Sequence, residues 1–234
     1  MICQNPKEGM TCEDTIGWNL SSIKLRCDNP TMLKYLLLLI FGFISLSSVA
    51  DGPFGIDHMI TKDESGIWSR KKQLDLQYGS FLVVVGGSLW EGKDSRLGKT
   101  FWQSTEAMLL TDVSAQGGKF IFKRERPRIS NDPNAWFKTS KDASFPSGEV
   151  AHISAIVTPF IAEYSKDTPL VWALALLPMY DGVARLKSQA HWQSDVIAGA
   201  ALGAGLGMYT HANGDSLLIK MLPNGITVGY KKRF

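Results

Sequence analysis

Arg185-Leu-Lys-Ser-Gln-Ala-His191-Trp-Gln-Ser-Asp195 places a guanidinium, an imidazole and a carboxylate within eleven residues, directly before an apolar stretch that continues to Tyr209. The pattern predicts a helix that begins near Trp192, so that His191 lies close to the helix N-terminus and Asp195 lies in the first turn. A carboxylate at that position can reach one ring nitrogen of the histidine and leave the other free to attack. A helix N-terminus favours an anion, and Arg185 adds a planar group suited to phosphate. The alternative is a surface arginine and a histidine that only caps the helix.

Two further motifs lie upstream of this stretch. Lys119 and Arg126 are seven residues apart, which predicts one helix face two turns long, and Pro127 then ends that helix. The segment Phe145-Pro-Ser-Gly-Glu149 predicts a tight turn that opens an apolar helix, where backbone N–H groups can cradle an anion. The chain therefore carries Lys-x6-Arg-Pro, then Pro-Ser-Gly, then Arg-x5-His-x3-Asp, in that order.

This order of motifs resembles the type 2 phosphatidic acid phosphatase family, which shares its site with bacterial acid phosphatases and vanadium haloperoxidases. The resemblance covers about residues 100–210. The matching residues are Lys119, Arg126, Pro127, Pro146, Ser147, Gly148, Arg185, His191 and Asp195. Two positions depart from the family pattern, because Glu149 stands where the family has a histidine and Ala184 stands where it has a serine.

The resemblance implies a metal-independent phosphatase with a phosphohistidine intermediate. In that mechanism His191 attacks phosphorus, while Asp195 orients the imidazole and stabilises its positive charge. N–H groups near Ser147 and Gly148 would help to bind the phosphate oxygens. The cations that would neutralise those oxygens are Lys119, Arg126 and Arg185. No cofactor and no metal are expected, since the histidines are scattered without the spacings of zinc ligands.

The leaving group needs a proton, and two residues are candidate donors. Glu149 occupies the position of the family's usual donor. Burial would raise the pKa of this carboxyl group, whereas the neighbouring cations would lower it, and the sequence leaves that balance open. His152 lies three residues further, on the same helix face, and is the alternative acid. A buried structural histidine is the competing interpretation of His152.

Three functions compete on these residues. The first is a phosphatase acting on phosphomonoesters or pyrophosphates, including lipid-linked ones. The alternatives are a vanadate-dependent haloperoxidase, which would oxidise halide when given vanadate and peroxide, and a non-catalytic phosphate-binding envelope protein. The expected partner is a phosphorylated small molecule or a lipid phosphate, with a peripheral membrane contact left open. No nucleic acid is expected, because the net charge is only +3.

The chain before residue 51 differs in composition from the rest. Residues 1–31 are polar, contain all three cysteines and are predicted to be an upstream extension or a wrongly assigned start. Residues 32–50 have the features of a signal peptide: a lysine, an apolar run from Tyr35 to Leu46, and small residues at the end. We therefore expect periplasmic or secreted protein after cleavage near Ala50. The alternative, a membrane helix anchoring an N-terminal domain, needs roughly 20 apolar residues, more than this run supplies.

Residues 51–214 are predicted to form one all-α helical bundle, with the site between the connecting loops at one end. The periodicity favours helices over 65–91, 97–122, 149–164, 170–186 and 195–211. Residues 215–234 predict a C-terminal β-hairpin around Asn224-Gly225. No stretch after Ala50 reaches 18 uninterrupted apolar residues, which is typical of the secreted members of the family rather than the integral membrane ones.

The long connection from Arg128 to Ser144 is polar, and a loop of this length in a compact domain is usually functional or disordered. Its Trp136 and Phe137 predict either an apolar lip over the site or ordinary loop packing. The preceding run Lys123-Arg124-Glu125-Arg126 is by itself typical of a solvated charged face. Only the spacing of seven residues from Lys119 distinguishes Arg126, the last residue of this run.

Overall fold

A computed structural model describes residues 52–139 and 141–213, apart from the side chain at position 54, and the backbone alone at 217–222 and 225–230. The predictions for residues 1–31 and 32–50 concern residues outside this part of the chain. Most of the described residues are helical, and the prediction of an all-α bundle is confirmed.

Within the described residues, five α-helices form the bundle. They are α1 (Arg70–Glu91), α2 (Arg96–Phe122), α3 (Gly148–Tyr164), α4 (Leu176–Lys187) and α5 (Gln193–Asn213). Short 3-10 turns cover Pro53–Gly55, Gly66–Trp68 and Pro169–Ala175. The backbone pairs two antiparallel strands, β1 (Leu217–Leu222) and β2 (Gly225–Tyr230). The side chains of this tail lie outside the described residues, so the predicted hairpin and its packing stay predictions.

The helix predicted over 170–186 is instead two elements. A 3-10 turn runs over Pro169–Ala175, and α4 then begins at Leu176. Pro178 explains the break, because proline lacks an N–H and its ring would clash with the carbonyl one turn earlier in a continuous helix. In the first turn of α4 that missing N–H costs nothing, since the first N–H groups of any helix lack an intrahelical partner.

Three glycines spaced four residues apart bring α5 against α3. A Cβ on Gly203 would lie 2.0 Å from the carbonyl oxygen of Ala151, and one on Gly199 would lie 2.4 Å from that of Ser147. The third, Gly207, meets α3 one turn further on. These small residues therefore serve close packing. The contact holds the start of α5 beside the start of α3, which is where the candidate site forms.

The main apolar core lies along α1, α2 and α3. Its buried members are Val84, Met108, Ile153, Ile156 and Val157. Among the described residues, no helix combines the length and the apolar character that crossing a membrane would require.

Candidate active site

Four helix ends meet at one end of the bundle and bring the predicted residues together. Lys119 lies in the last turn of α2, and its Nζ is 3.4 Å from the position that a Cβ on Gly148 would take at the start of α3. Arg185 lies in the last turn of α4, and its Nη1 is 3.5 Å from Oε2 of Glu149. His191 precedes α5. The motifs, which span 77 positions from Lys119 to Asp195, thus form one cluster.

His191 is buried, and its two ring nitrogens have different surroundings. Nδ1 lies 2.7 Å from the carbonyl oxygen of Ser144. Because a carbonyl can only accept, this contact assigns the ring proton to Nδ1. Burial lowers the pKa of His191 to about 4, aided by the charges of Arg126 and Arg185 and opposed by Asp195. At neutral pH the imidazole is therefore uncharged, with an unprotonated Nε2 3.3 Å from Nη1 of Arg126.

Asp195 is not a direct hydrogen-bond partner of this histidine. Its Oδ2 lies 3.9 Å from Nδ1 of His191, which is too long for a hydrogen bond. The same oxygen accepts from the Trp192 amide at 2.9 Å and from the Ser144 hydroxyl. Burial alone would raise the pKa of Asp195, but His191 and Arg124 outweigh it and hold that pKa below its usual value. Asp195 therefore places a carboxylate 3.9 Å from the imidazole, and Ser144 links the two by contacting both.

Arg124 holds the other side of Asp195 and is fully buried. Its Nη1 donates to Oδ1 of Asp195 at 2.6 Å, and its Nη2 donates to Oδ2 of Asp57 at 2.6 Å. The guanidinium also lies over the ring of Trp136, 4.4 Å from its centroid. Asp57 in turn accepts from the backbone N–H of Ser194 at 2.8 Å. This buried chain of charges ties the segment before α1 to the first turn of α5.

The prediction that Arg124 belongs to a solvated face is wrong. Helix α2 ends at Phe122, and the left-handed φ of 46° at the next residue, Lys123, turns the chain out of the helix. Arg124 and Arg126 are two residues apart, and an extended chain points such a pair to the same side. Both are buried, while Lys123 and Glu125 are partly exposed. The sequence shows this alternation of buried and exposed residues. Asp57, which pairs with Arg124 from 67 residues away, belongs to no motif.

Arg126 is held by the loops that precede α3 and α5. Its guanidinium donates to the carbonyl oxygens of Asp142 and Ala190, each at 2.9 Å, and pairs with Oδ1 of Asp142 at 2.8 Å. The long loop thus fixes a cation beside His191. Trp136 belongs to the packing of this loop, since it covers Arg124, while Phe137 is exposed.

At Ser147 the side-chain hydroxyl, and not the backbone amide, is available to an anion. The backbone N–H of Ser147 already donates to the carbonyl oxygen of Asp195 at 3.0 Å, while the use of the Gly148 amide for phosphate stays a prediction. The Oγ of Ser147 is buried and has no hydrogen-bond partner among the described residues. A buried hydroxyl without a partner is costly unless a ligand or water meets it.

Glu149 forms the opposite wall of the site with an arginine that no motif indicated. Arg70 of α1 donates to both carboxylate oxygens, at 2.6 and 2.8 Å. Gln73 joins the same group by accepting from Nη1 of Arg185 at 2.9 Å. Burial raises the pKa of Glu149, but the hydrogen bonds from Arg70 and the charge of Arg185 outweigh it, so the pKa is lowered overall. Glu149 is therefore ionised in the free site.

Two further buried groups lie behind this wall. Asp181, one turn before Arg185, is fully buried, and neither carboxylate oxygen has a hydrogen-bond partner among the described residues. Burial, with the charge of Glu149, raises the pKa of Asp181 to about 7. His152 places Nδ1 3.0 Å from Oδ1 of Asp112, while its Nε2 is buried without a partner in the described part. His152 also lines a cavity of about 160 Å³ next to α1.

The cations of the site are crowded in a way that suits a doubly charged anion. Burial, followed by the charge of Arg126, lowers the pKa of Lys119. Burial also lowers the pKa of Arg185, with Arg70 among the charges that act in the same direction. An incoming phosphate dianion would relieve both penalties. Within residues 52–139 and 141–213, no group of three or more His, Cys, Asp or Glu side chains is arranged to hold a metal ion.

Comparison with known proteins identifies similar chains. The family model described as "PAP2 superfamily" matches residues 100–215. A lipid A 1-phosphatase of Porphyromonas gingivalis is 31% identical over 124 residues, which are 52% of this chain and 25% of that relative. This chain thus matches about a quarter of the relative's length. A crystal structure of Aquifex aeolicus LpxE is similar with a TM-score of 0.43 and 20% identity, covering 60% of this chain and 86% of that one.

Proposed function

Because this chain belongs to the PAP2 superfamily through residues 100–215, we propose that it is a phosphatase whose nucleophile is His191. The observation that carries the proposal is the pair formed by His191 and Arg126. An uncharged Nε2 lies 3.3 Å from a buried guanidinium, so a phosphate group that approaches the nucleophile also meets a fixed cation.

In the proposed reaction, Nε2 of His191 forms a bond to phosphorus as the bond to the leaving oxygen breaks. The imidazole becomes positive, and the buried Asp195 balances that charge. The phosphate oxygens are held by the cations Lys119, Arg126 and Arg185 and by the hydroxyl of Ser147. The leaving oxygen takes up a proton, for which Glu149 and His152 are the candidate donors. Water then attacks phosphorus as the phosphorus–nitrogen bond breaks, and it loses a proton to solvent, which releases phosphate and restores the neutral histidine.

We propose a lipid-linked phosphate monoester or pyrophosphate as the substrate class. The support is the similarity over 124 residues to a protein named as a lipid A 1-phosphatase. The residues that we assign to phosphate binding and attack lie within the matched family segment: Lys119, Arg126, Ser147, Arg185 and His191.

The proposal is tested on purified protein with p-nitrophenyl phosphate and an alkyl phosphate. We expect hydrolysis that survives a chelator, together with an acid-labile, ³²P-labelled protein intermediate after rapid quenching. His191→Ala should abolish both signals. His211→Ala is the matched control, because that histidine lies in the last turn of α5, away from the site. Turnover that a chelator removes and a divalent metal restores would contradict the metal-free mechanism.

The same preparation separates the alternative functions. Halide oxidation with vanadate and peroxide would assign a haloperoxidase, and phosphate binding without turnover would assign a non-catalytic protein.

We also propose export, with a mature N-terminus at Asp51, from the signal-like composition of residues 32–50. Mass spectrometry of native protein tests this, and a mature chain that retains Cys3, Cys12 and Cys27 would contradict it.

A further inference from the structure

A fully buried carboxyl group, that of Asp181, lies behind the candidate site on α4. Asp181 precedes Arg185 by four residues, so the two side chains share one face of the helix, about 6 Å apart along its axis. Both oxygens of Asp181 are shielded from solvent and have no hydrogen-bond partner among the described residues. A charged carboxylate is costly in such surroundings and its protonated form is much less so, so the position favours an attached proton.

The charged groups around Asp181 come from three helices that meet at the site. Helix α3 begins at the site and α4 ends there, so the two helices run in opposite directions. Glu149 of α3 lies 3.5 Å from Arg185 of α4, and one turn behind this contact lie His152 on α3 and Asp181 on α4. Arg70 of α1 completes the group through its pair with Glu149. Asp181 is thus surrounded by the groups that we assign to the wall of the site.

These neighbours hold Asp181 between its two charge states. Burial, followed by the charge of Glu149, raises the pKa of Asp181 to about 7. The charges of Arg185 and Arg70 oppose this rise, and so does His152. A phosphate dianion bound to the same arginines would offset their support for a charged Asp181 and would add negative charge of its own. Both changes favour the protonated carboxyl group.

We propose that Asp181 is a positioning residue for phosphate binding, which acts through Arg185 by taking up one proton when a dianionic phosphate enters the site. This inference rests on the proposed function and adds a proton to its binding step. The proton comes from solvent and attaches to a carboxylate oxygen of Asp181, so the carboxyl group becomes neutral. An ionised Asp181 competes with the phosphate for the charge of Arg185, whereas a neutral one does not.

Sulfate is the probe for this coupling, because it stays a dianion from pH 6 to pH 8.5, whereas phosphate itself titrates in this range. Calorimetric titration in buffers of different ionisation enthalpy measures the protons taken up per sulfate bound. For the unmodified protein we expect about half a proton near pH 7.5 and an affinity that falls by up to about tenfold from pH 6 to pH 8.5. Lys119, whose pKa burial lowers, would add only an uptake that is independent of Asp181.

The decisive variant is Asp181→Asn, which keeps the size of the side chain and leaves it uncharged, as the protonated acid is. We expect its sulfate affinity to match the unmodified protein at pH 6 and to be up to about tenfold tighter at pH 8.5, with the uptake near pH 7.5 lost. A variant that only damaged the fold would bind more weakly at every pH.

Two control variants identify the group that takes up the proton. Asp75→Asn is the matched control, because Asp75 is an exposed acid of α1, and both affinity and uptake should stay unchanged. His152→Gln should keep the uptake, although an imidazole titrates in the same range. Loss of the uptake in His152→Gln alone would overturn the proposal, because it would assign the proton to the imidazole.

The unmodified protein alone can also contradict the proposal. Sulfate binding without proton uptake between pH 6 and pH 8.5 would overturn it, as would equal uptake in the unmodified protein and in Asp181→Asn. Failure of the proposed function is recognised separately. The expected uptake without hydrolysis of p-nitrophenyl phosphate would contradict the phosphatase and support the role of Asp181, whereas a protein that does not bind sulfate would overturn both.

Discussion

Two clusters of charged residues flank His191, and they differ in their exposure to water. The rear cluster, Asp57, Arg124 and Asp195, is almost completely buried, and its ion pairs measure 2.6 Å. The front cluster consists of Arg70, Glu149 and Arg185. Its pair between Arg70 and Glu149 is as short, but the Arg70 side chain is 45% exposed.

This difference in burial distinguishes a cluster that positions His191 from a cluster that binds phosphate. In the buried rear cluster, removing one charge leaves its partners without compensation in a medium of low polarity, so the cluster holds one geometry. In the front cluster, water screens the charges, and the carboxylate of Glu149 occupies cations that an incoming phosphate also needs. We infer that the rear cluster fixes the nucleophile and that the front cluster rearranges when substrate binds.

The largest effect is expected for Asp195→Asn, at the contact between the rear cluster and the nucleophile. The amide keeps the shape but cannot balance a positive imidazole. We expect kcat to fall by about 10³- to 10⁴-fold, comparable to the loss of orienting carboxylates in other nucleophilic enzymes. Phosphate should still bind, as measured by competitive inhibition. A loss below tenfold would show that Asp195 does not stabilise the charged intermediate.

The next effect concerns Arg124, where we expect a loss of stability. Arg124→Met leaves Asp57 and Asp195 buried without their cation, and the free energy of unfolding should fall by about 3–5 kcal/mol. Urea unfolding followed by circular dichroism measures this difference. Arg128→Met is the control, because Arg128 pairs with Asp142 at the exposed surface, and its loss should cost less than about 1 kcal/mol. Equal losses in the two variants would remove the distinction between buried and exposed pairs.

In the front cluster, Glu149→Gln tests the proton donor. The lowered pKa of Glu149 means that its carboxylate has no proton to give in the free site. We therefore expect alkyl and nitrophenyl esters to lose activity by the same factor, smaller than the 10²- to 10⁴-fold effect of a general acid. Parallel kcat measurements on both ester classes give the answer.

The opposite outcome of that experiment is equally informative. A selective loss of alkyl esters, whose oxygens leave poorly without a proton, would establish Glu149 as the donor and show that substrate binding raises its pKa. The same contrast applies to His152, which Asp112 orients from α2. Selective loss in His152→Gln alone would assign the proton to that residue.

The smallest effect is expected for the stability of Arg70→Ala. Its pair with Glu149 is partly exposed, so the free energy of unfolding should fall by less than about 1 kcal/mol at neutral pH. Because the pair lowers the pKa of Glu149 below its ordinary value of 4.5, its contribution is present above that value and is lost as the pH falls through the folded pKa. Thermal unfolding at a series of pH values descending from 7 should show the difference between variant and parent shrinking as acid protonates Glu149. A constant difference would contradict this assignment.

The sequence by itself determined the helical class and which polar side chains meet in the candidate site. Helix periodicity and proline positions predicted four of the five α-helices to within a few residues. The spacing of Lys119 and Arg126, and of Arg185, His191 and Asp195, predicted which side chains converge. The expectation that Lys119 and Arg126 share one helix face is wrong, because α2 ends at Phe122 and Arg126 lies beyond it. The order of the motifs along the chain, rather than a shared helix face, therefore carried this prediction.

Only the tertiary structure decided what holds those groups in place. Asp57 lies 67 residues from Arg124, and Arg70 lies 79 residues from Glu149. No spacing rule connects such residues, because their contact depends on how separate helices and loops pack. The same packing occupies the Ser147 amide with a carbonyl of α5 and leaves its hydroxyl free for a ligand in the described site. The charge state of Glu149 follows from its neighbours in space, which the order of residues along the chain does not specify.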